Sequence, residues 1–243
     1  MADKKKYAPR LTTPIGVLRY PHINKPDAKF NPDKPRYKAP LILDAADAQN
    51  IIDLVTADQE FGLPAAEALR ETAVTNARKA GKKLKPKDDP NNAELKLPYS
   101  EMVDPDTGAD TGQFVVNIGG NDRYKKADGS TVMLTVKFFS AAGQPIAERD
   151  KPEVWGGSRV RVCYTHFPYY NSATNEYGVS LRLEAVKLIE VRSGGGAGDA
   201  AGFGFGDAEE GYEVAPKGDM EGDESPLAGE KGAFGPVPSD ADF

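Results

Sequence analysis

One cysteine and two histidines among 243 residues leave little material for metal or redox chemistry. Cys163 has no partner for an intramolecular disulfide, and with only His22 and His166 beside it the chain lacks the soft ligands of a structural zinc site. A reducing compartment is the weak implication. The sequence contains no run of 18 apolar residues, and its N-terminus, MADKKKYAPRLTTP, carries positive charge without an apolar stretch behind it, so neither a membrane span nor a secretory signal is expected. A GxxxxGK[ST] phosphate loop is missing, and Gly202, Gly204 and Gly206 neither follow a strand nor open a helix. No cofactor, no metal and no enzymatic activity are therefore expected.

The acidic residues support the same reading. DPDTGAD spaces Asp104, Asp106 and Asp110 somewhat like a calcium loop, but Val115 stands where a bidentate Glu is needed, and a plain turn is expected. A metal-dependent nuclease using Glu101, Asp104 and Asp106 is the alternative, and an adaptor acting through its C-terminal tail is another. His166 reads as a core histidine and Cys163 as a packed cysteine without an activating partner.

The net charge of −6 hides a division. Of 31 basic and 37 acidic residues, two and 12 lie from Ser193 onward, giving that stretch −10 and leaving 29 and 25 upstream, a body of +4. A basic body joined to an acidic tail suggests a polyanion-binding domain whose tail competes with its ligand; the alternative is a solubilising tail. Residues 193–243, glycine-rich and polar, read as disordered, with Phe203, Phe205, Tyr212, Phe234 and Phe243 as contact points. Residues 1–192 read as one domain.

Period-2 alternation dominates that domain. Strands are expected at 132–139, 158–170, 177–191, 113–120 and 35–43, with Pro40 marking an edge or bulge in the last, and 12–21 adds a sixth. A helix starts at Asp44 and carries Ala45, Ala48, Ile52 and Val55, and a second runs from Pro64 with a Leu69, Ala73, Ala77 and Ala80 stripe until Gly81. Short strands with a helical insertion at about 44–86 indicate a mainly β barrel or sandwich.

The alternation sorts side chains by face. Val160, Val162 and Tyr164 point inward and Arg159, Arg161, Thr165, Phe167 and Tyr169 outward. Val179, Leu181 and Leu183 point inward with Arg182 outward, and Val132, Leu134 and Val136 inward with Lys137 and Phe139 outward. Cations interleaved with rings suit single-stranded nucleic acid, because phosphates meet the cations while unpaired bases stack on the rings. The alternative makes Phe139 and Phe167 core residues under the helical insertion. FPYYN, Phe167 to Asn171, reads as a hairpin loop, and Tyr170 and Tyr177 join the expected DNA-binding set. The run RKAGKKLKPK adds Lys82, Lys83 and Lys85 as a phosphate clamp, the alternative being a solvated face.

The segment WGGSRVRVCYTHFPYYNSATNEYGVSLRLEAVKLIEV resembles the closing β-hairpin of the single-stranded-DNA-binding proteins of T7-type and related tailed phages. PRYKAPLILDAAD is similar to their first strand and helix, and the ending Asp240-Ala241-Asp242-Phe243 to their acidic tail. The resemblance implies an OB-fold, a five-stranded Greek-key β-barrel, that binds single strands without sequence preference in DNA replication, recombination and repair. It further implies that Asp240, Asp242 and Phe243 recruit replication proteins such as DNA polymerase and helicase/primase, and that the tail fills the groove when DNA is absent. Homo-oligomers or a cooperative array on DNA, in the cytoplasm of an infected bacterial host, belong to the same expectation. The helical insertion and the Gly-Phe-Gly-Phe-Gly segment depart from the simplest pattern.

Overall fold

The computed structural model describes residues 7–29, 31–81 and 84–192. In chain order it has β1 (Leu11–Thr12), β2 (Gly16–Leu18), β3 (His22–Asp27), β4 (Arg36–Asp44), α1 (Ala45–Ala57) and α2 (Leu63–Ala80). Then come β5 (Glu94–Lys96), β6 (Tyr99–Val103), β7 (Asp110–Asn121), β8 (Arg123–Lys125), β9 (Thr131–Met133), β10 (Lys137–Phe139) and β11 (Pro145–Ile146). Two long strands, β12 (Arg159–Asn171) and β13 (Glu176–Glu190), end the described chain.

Five strands close a ring in the order β2, β4, β7, β13, β12 and back to β2, with β7 and β13 parallel and the other neighbours antiparallel. Closure removes the sheet edges that would otherwise template pairing with other chains. This is the expected OB barrel. Its interior holds Leu18, Ala39, Leu41, Val116, Ile118, Val160, Val162, Tyr164, Leu181 and Val186.

β4 alternates buried and less buried positions through its length, as its sequence requires. Pro40 lies inside this internal strand, not at an edge. Its carbonyl accepts from Arg19 N–H, so its nitrogen faces the break between β2 and β3, where no ladder donor is needed.

Two expected strands change shape. The run 132–139 splits at 134–136: β9 pairs with β8 in a separate ribbon, and β10 runs parallel to β13. Leu134, expected inside, is 40% exposed because its N–H closes the ribbon on the Asp122 carbonyl. In β13 the inward parity switches. Cys163 pairs with Ala185 but Tyr164 with Leu183, so Glu184 is an extra residue, a β-bulge. Inward positions are Val179 and Leu181 before it and Val186 and Leu188 after it, with Leu183 only half-buried at the transition. FPYYN is strand rather than loop: Tyr170 pairs with Tyr177 and Asn171 with Glu176.

α1 starts where Asp44 accepts from Asp47 N–H, and it buries Ala48, Ile51 and Val55 against β4 and β7. α2 packs on β12 and β13 through Ala66 and Val74 while Leu69 faces solvent, so the apolar stripe is rotated from the expected one. Gly81 ends α2 at φ 64°, a left-handed cap that glycine adopts without a Cβ clash.

One polar contact ties the helices to the barrel. His166 is 3% exposed, and its Nδ1 lies 3.0 Å from Asp58 Oδ2, while the other Asp58 oxygen accepts from the Glu60 and Phe61 N–H groups. Burial pushes the Asp58 carboxyl upward, but the bonds from Phe61, His166 and Glu60 outweigh it and hold the group below its ordinary value of 3.8.

Two stability outcomes follow. Asp44→Ala removes the α1 cap and costs about 0.5–2 kcal/mol, read from urea midpoints with an unchanged slope. Asp58→Asn lowers the midpoint at neutral pH. Because the folded carboxyl lies below its unfolded value, its contribution is complete above that unfolded value and is lost as pH falls through the folded one. The gap between parent and variant midpoints therefore closes in acid; a gap unchanged down to pH 3 refutes the assignment.

Candidate nucleic-acid interface

The strand that buries Val160, Val162 and Tyr164 must turn Arg161, Cys163, Thr165, Phe167 and Tyr169 to the other face. On this outer face three depressions adjoin. The first is bounded by Arg36, Lys38, Lys96 and Tyr169. It shares Arg36, Gly119 and Ser180 with the second, which adds Arg123, Tyr124, Phe167 and Arg182. The second shares Lys137 and Glu184 with the third, where Arg10, Phe139, Arg161, Cys163 and Lys187 gather. One continuous trough results.

Its floor is low because Gly119 has no side chain. A Cβ there would lie 2.8 Å from the Tyr37 carbonyl oxygen, a backbone atom that cannot move aside. The glycine thus lets β4 and β7 approach and keeps the middle of the trough open.

The walls carry a ring on a cation. The Arg182 guanidinium carbon sits 3.3 Å from the Phe167 ring centroid, a stacked arrangement with one guanidinium face covered. Burial presses the Arg182 group below its ordinary value, while the nearby Glu184 carboxylate pulls it up. Phe167 is nevertheless 40% exposed, and Phe139 lines the third depression, so neither ring is core. Tyr169 keeps its proton more firmly than a free phenol through burial and the Glu176 carboxylate, against the pull of Lys96 and Arg36.

Several trough cations are already engaged. Lys38 binds Asp27 at 2.6 Å, Lys96 faces Glu94 and Glu176, Arg123 holds Asp122, and Arg10 lies 3.9 Å from Glu184. Among the described residues Arg36, Lys137, Arg161, Arg182 and Lys187 have no ion pair, and Arg161 donates to the Thr13 carbonyl. These five are the charges a polyanion meets unneutralised.

Six of the seven outward residues expected from alternation lie in this trough: Lys137, Phe139, Arg161, Phe167, Tyr169 and Arg182. Arg159 does not; it faces Glu190 at 3.8 Å beyond the third depression. Tyr170 and Tyr177, also expected to bind DNA, lie outside the trough. Both stand on the opposite face, where the Tyr170 hydroxyl donates to Asn175 and the Arg70 guanidinium of α2 covers the Tyr177 ring at 5.2 Å. Lys85 is exposed beside the short helical turn Pro86–Asp88 and lines none of the depressions. Lys82, Lys83, Asp240, Asp242 and Phe243 lie outside the described residues.

Residues missed by the sequence reading divide by cause. Arg36 and Lys38 follow the same alternation in β4 and were legible there. Lys187 was hidden by the bulge at Glu184, which reverses its parity. Arg10, Lys96, Arg123 and Tyr124 come from short segments without a periodic signal.

Of the carboxylates weighed for a nuclease, Glu101 lies in β6, and Asp104 and Asp106 belong to a turn. Asp104 Oδ1 accepts from the Thr107 and Asp106 N–H groups, and these bonds hold its carboxyl below the ordinary value. Cys163 is half-buried in the trough wall, its thiol pushed up by burial and by Glu184.

Comparison with known proteins agrees with this geometry. The family described as "Single-stranded DNA-binding protein, Bacteriophage T7" matches residues 14–191. The single-stranded DNA-binding protein of Enterobacteria phage T3 is 27% identical over 201 residues, covering 81% of this chain and 80% of the relative. That of Escherichia phage T7 is 27% identical over 197 residues, covering 77% and 78%. The crystal structure of gp2.5, a single-stranded DNA-binding protein encoded by bacteriophage T7, superposes with a TM-score of 0.57 at 22% identity over 78% of this chain and 96% of that one. The barrel, its outer trough and the matched stretch agree: the chain belongs to the T7-type phage single-stranded DNA-binding protein family.

Proposed function

We propose that this protein binds single-stranded DNA along the trough, without sequence preference and without chemistry on the strand. The observation that carries this reading is the interleaving of Arg36, Lys137, Arg161, Arg182 and Lys187, all free of ion pairs among the described residues, with Tyr169, Phe167 and Phe139 along one path. Phosphates have unneutralised cations to meet, and unpaired bases have flat partners. Duplex DNA hides its base faces and gains only the charge contacts.

Residues 1–192 form the binding domain in this proposal, and residues 193–243 a tail whose 12 carboxylates compete for the trough at high effective concentration. Asp240, Asp242 and Phe243 then recruit phage or host replication proteins, which places the molecule in replication, recombination and repair in the host cytoplasm. The charge division between body and tail supports this part.

Five neutralised phosphates, at about −0.7 per phosphate for single strands, give a slope of roughly −3.5 for log K against log salt with oligo-dT. A slope near zero removes the electrostatic half of the proposal.

Tyr169→Ala and Phe167→Ala each weaken oligo-dT binding by about 1–3 kcal/mol, with Phe167→Ala also releasing Arg182 from its platform. Full affinity in both variants shows that DNA follows another path.

Deleting residues 193–243 tightens DNA binding, most at low salt where carboxylate–cation attraction is least screened. Removing Phe243 alone weakens capture of replication proteins more than it changes DNA affinity. Equal DNA affinity of full-length and shortened chains at every salt concentration rejects competition by the tail.

A further inference from the structure

A second surface lies at the base of the β12–β13 ribbon, outside the trough. Here Tyr20, Pro21, Ile23, Val154 and Trp155 line a cleft of about 420 Å³, within the roughly 300–1,000 Å³ of clefts that hold small ligands. Tyr20 is 78% exposed and Trp155 47% exposed, a large apolar area left to water. Tyr20 also sits at φ 48°, a left-handed conformation that is costly for a bulky residue, with Arg19 5.8 Å from its ring.

The walls are fixed before any ligand arrives. Asn24 donates to the Pro152 carbonyl and accepts from Val154 N–H, and Gly157 N–H donates to the Leu18 carbonyl. A pre-formed cleft loses little entropy when it is filled.

The place where the described chain ends selects the occupant. Arg192 accepts from Trp155 N–H at 3.1 Å, and its own N–H donates to Ser158 Oγ, so the described chain ends beside the cleft. Phe203, eleven residues beyond Arg192, stands in the segment Gly202-Phe203-Gly204-Phe205-Gly206. An eleven-residue connection reaches at most about 36–40 Å, which more than spans the cleft it leaves from. In extended chain the rings of Phe203 and Phe205 share one face, and the glycines between them let the backbone lie close to a wall. Asp207, Glu209 and Glu210 follow directly, matching Arg19 and Lys25 beside the cleft; Glu153 is an acid on its rim.

We propose that the Gly-Phe-Gly-Phe-Gly segment docks in this cleft of its own chain, its two rings packing against Trp155 and Tyr20. The tail is then anchored at its root, and its outer part projects from a fixed point near the Arg161 end of the trough. This docking does not depend on the DNA-binding reading, because neither the cleft nor the segment is part of the trough.

Trp155 is the chain's single tryptophan and reports the contact directly. The experiment compares full-length protein with Phe203→Ser/Phe205→Ser, both without DNA, by emission maximum and acrylamide quenching. Docking predicts a quenching constant about twofold larger and a red-shifted maximum in the double variant, since the rings no longer shield the indole from water. The difference persists on tenfold dilution, and a peptide of residues 199–212 added to the double variant restores the protection. Identical quenching in the two proteins overturns the proposal. Protection that disappears on dilution assigns the segment to a second copy and overturns docking within one chain.

Discussion

The antiparallel ladder between β12 and β13 is the constraint on which the rest depends. It runs from Arg159 opposite Glu190 to Asn171 opposite Glu176, and no other pairing among the described residues is as long. Pairing with β2 on one side and β7 on the other makes this ladder the closure of the barrel. The same alternation that carries Val160, Val162 and Tyr164 into the interior sets Arg161, Phe167 and Tyr169 on the outside. A change that slips the register by one residue would exchange core and binding face together. The core and the β12 and β13 part of the trough are therefore specified by the same backbone hydrogen bonds.

Much of this was legible because period 2 is strict wherever a strand is regular. β4, β12 and the first half of β13 obey it; the faces of β12 and of the first half of β13 were assigned correctly from sequence, while those of β4 were legible but left unassigned. The failures occur where geometry adds or removes a residue. The bulge at Glu184 leaves no mark in composition, yet it converts Lys187 from an inward to an outward position. Leu134 fails differently, since its hydrogen bond to Asp122 ends one pairing and turns the chain toward another. Tyr170 illustrates a third cause: two adjacent strand residues cannot share a face, and reading FPYYN as a loop concealed that rule.

The helices explain why one face is open and the other is not. α2 packs on β12 and β13 from the inward side, and where the ribbon extends past the barrel it supplies Arg70 over Tyr177. The His166 contact to Asp58 fixes the join between α1 and α2 to the same strand. Among the described residues His166 Nε2 and the Tyr164 hydroxyl have no hydrogen-bond partner, so this side is specified by one bond rather than a satisfied network. Among the described residues no helix covers the outer face, and its depth comes from Gly119 and from the β8–β9 ribbon that contributes Arg123 and Tyr124.

Charge in the trough is arranged by pairing rather than by number. Counting every lysine and arginine on the face would suggest a far steeper salt response than the ion pairs allow, because Lys38, Arg123 and Lys96 already hold carboxylates. Asp122 is nearly buried, so separating it from Arg123 would leave an uncompensated charge, and that arginine stays with its partner. The cations left over stand near the rings: Arg182 against Phe167, Lys137 between Phe167 and Phe139, and Arg36 across from Tyr169. A ring contributes by stacking, which salt screens weakly, whereas a phosphate contact weakens with every increase in ionic strength. Under the proposed binding mode, alternating the two along one path would make the low-salt share of affinity electrostatic and the share left at high salt aromatic, and because every base has a stackable face neither share would need a particular sequence.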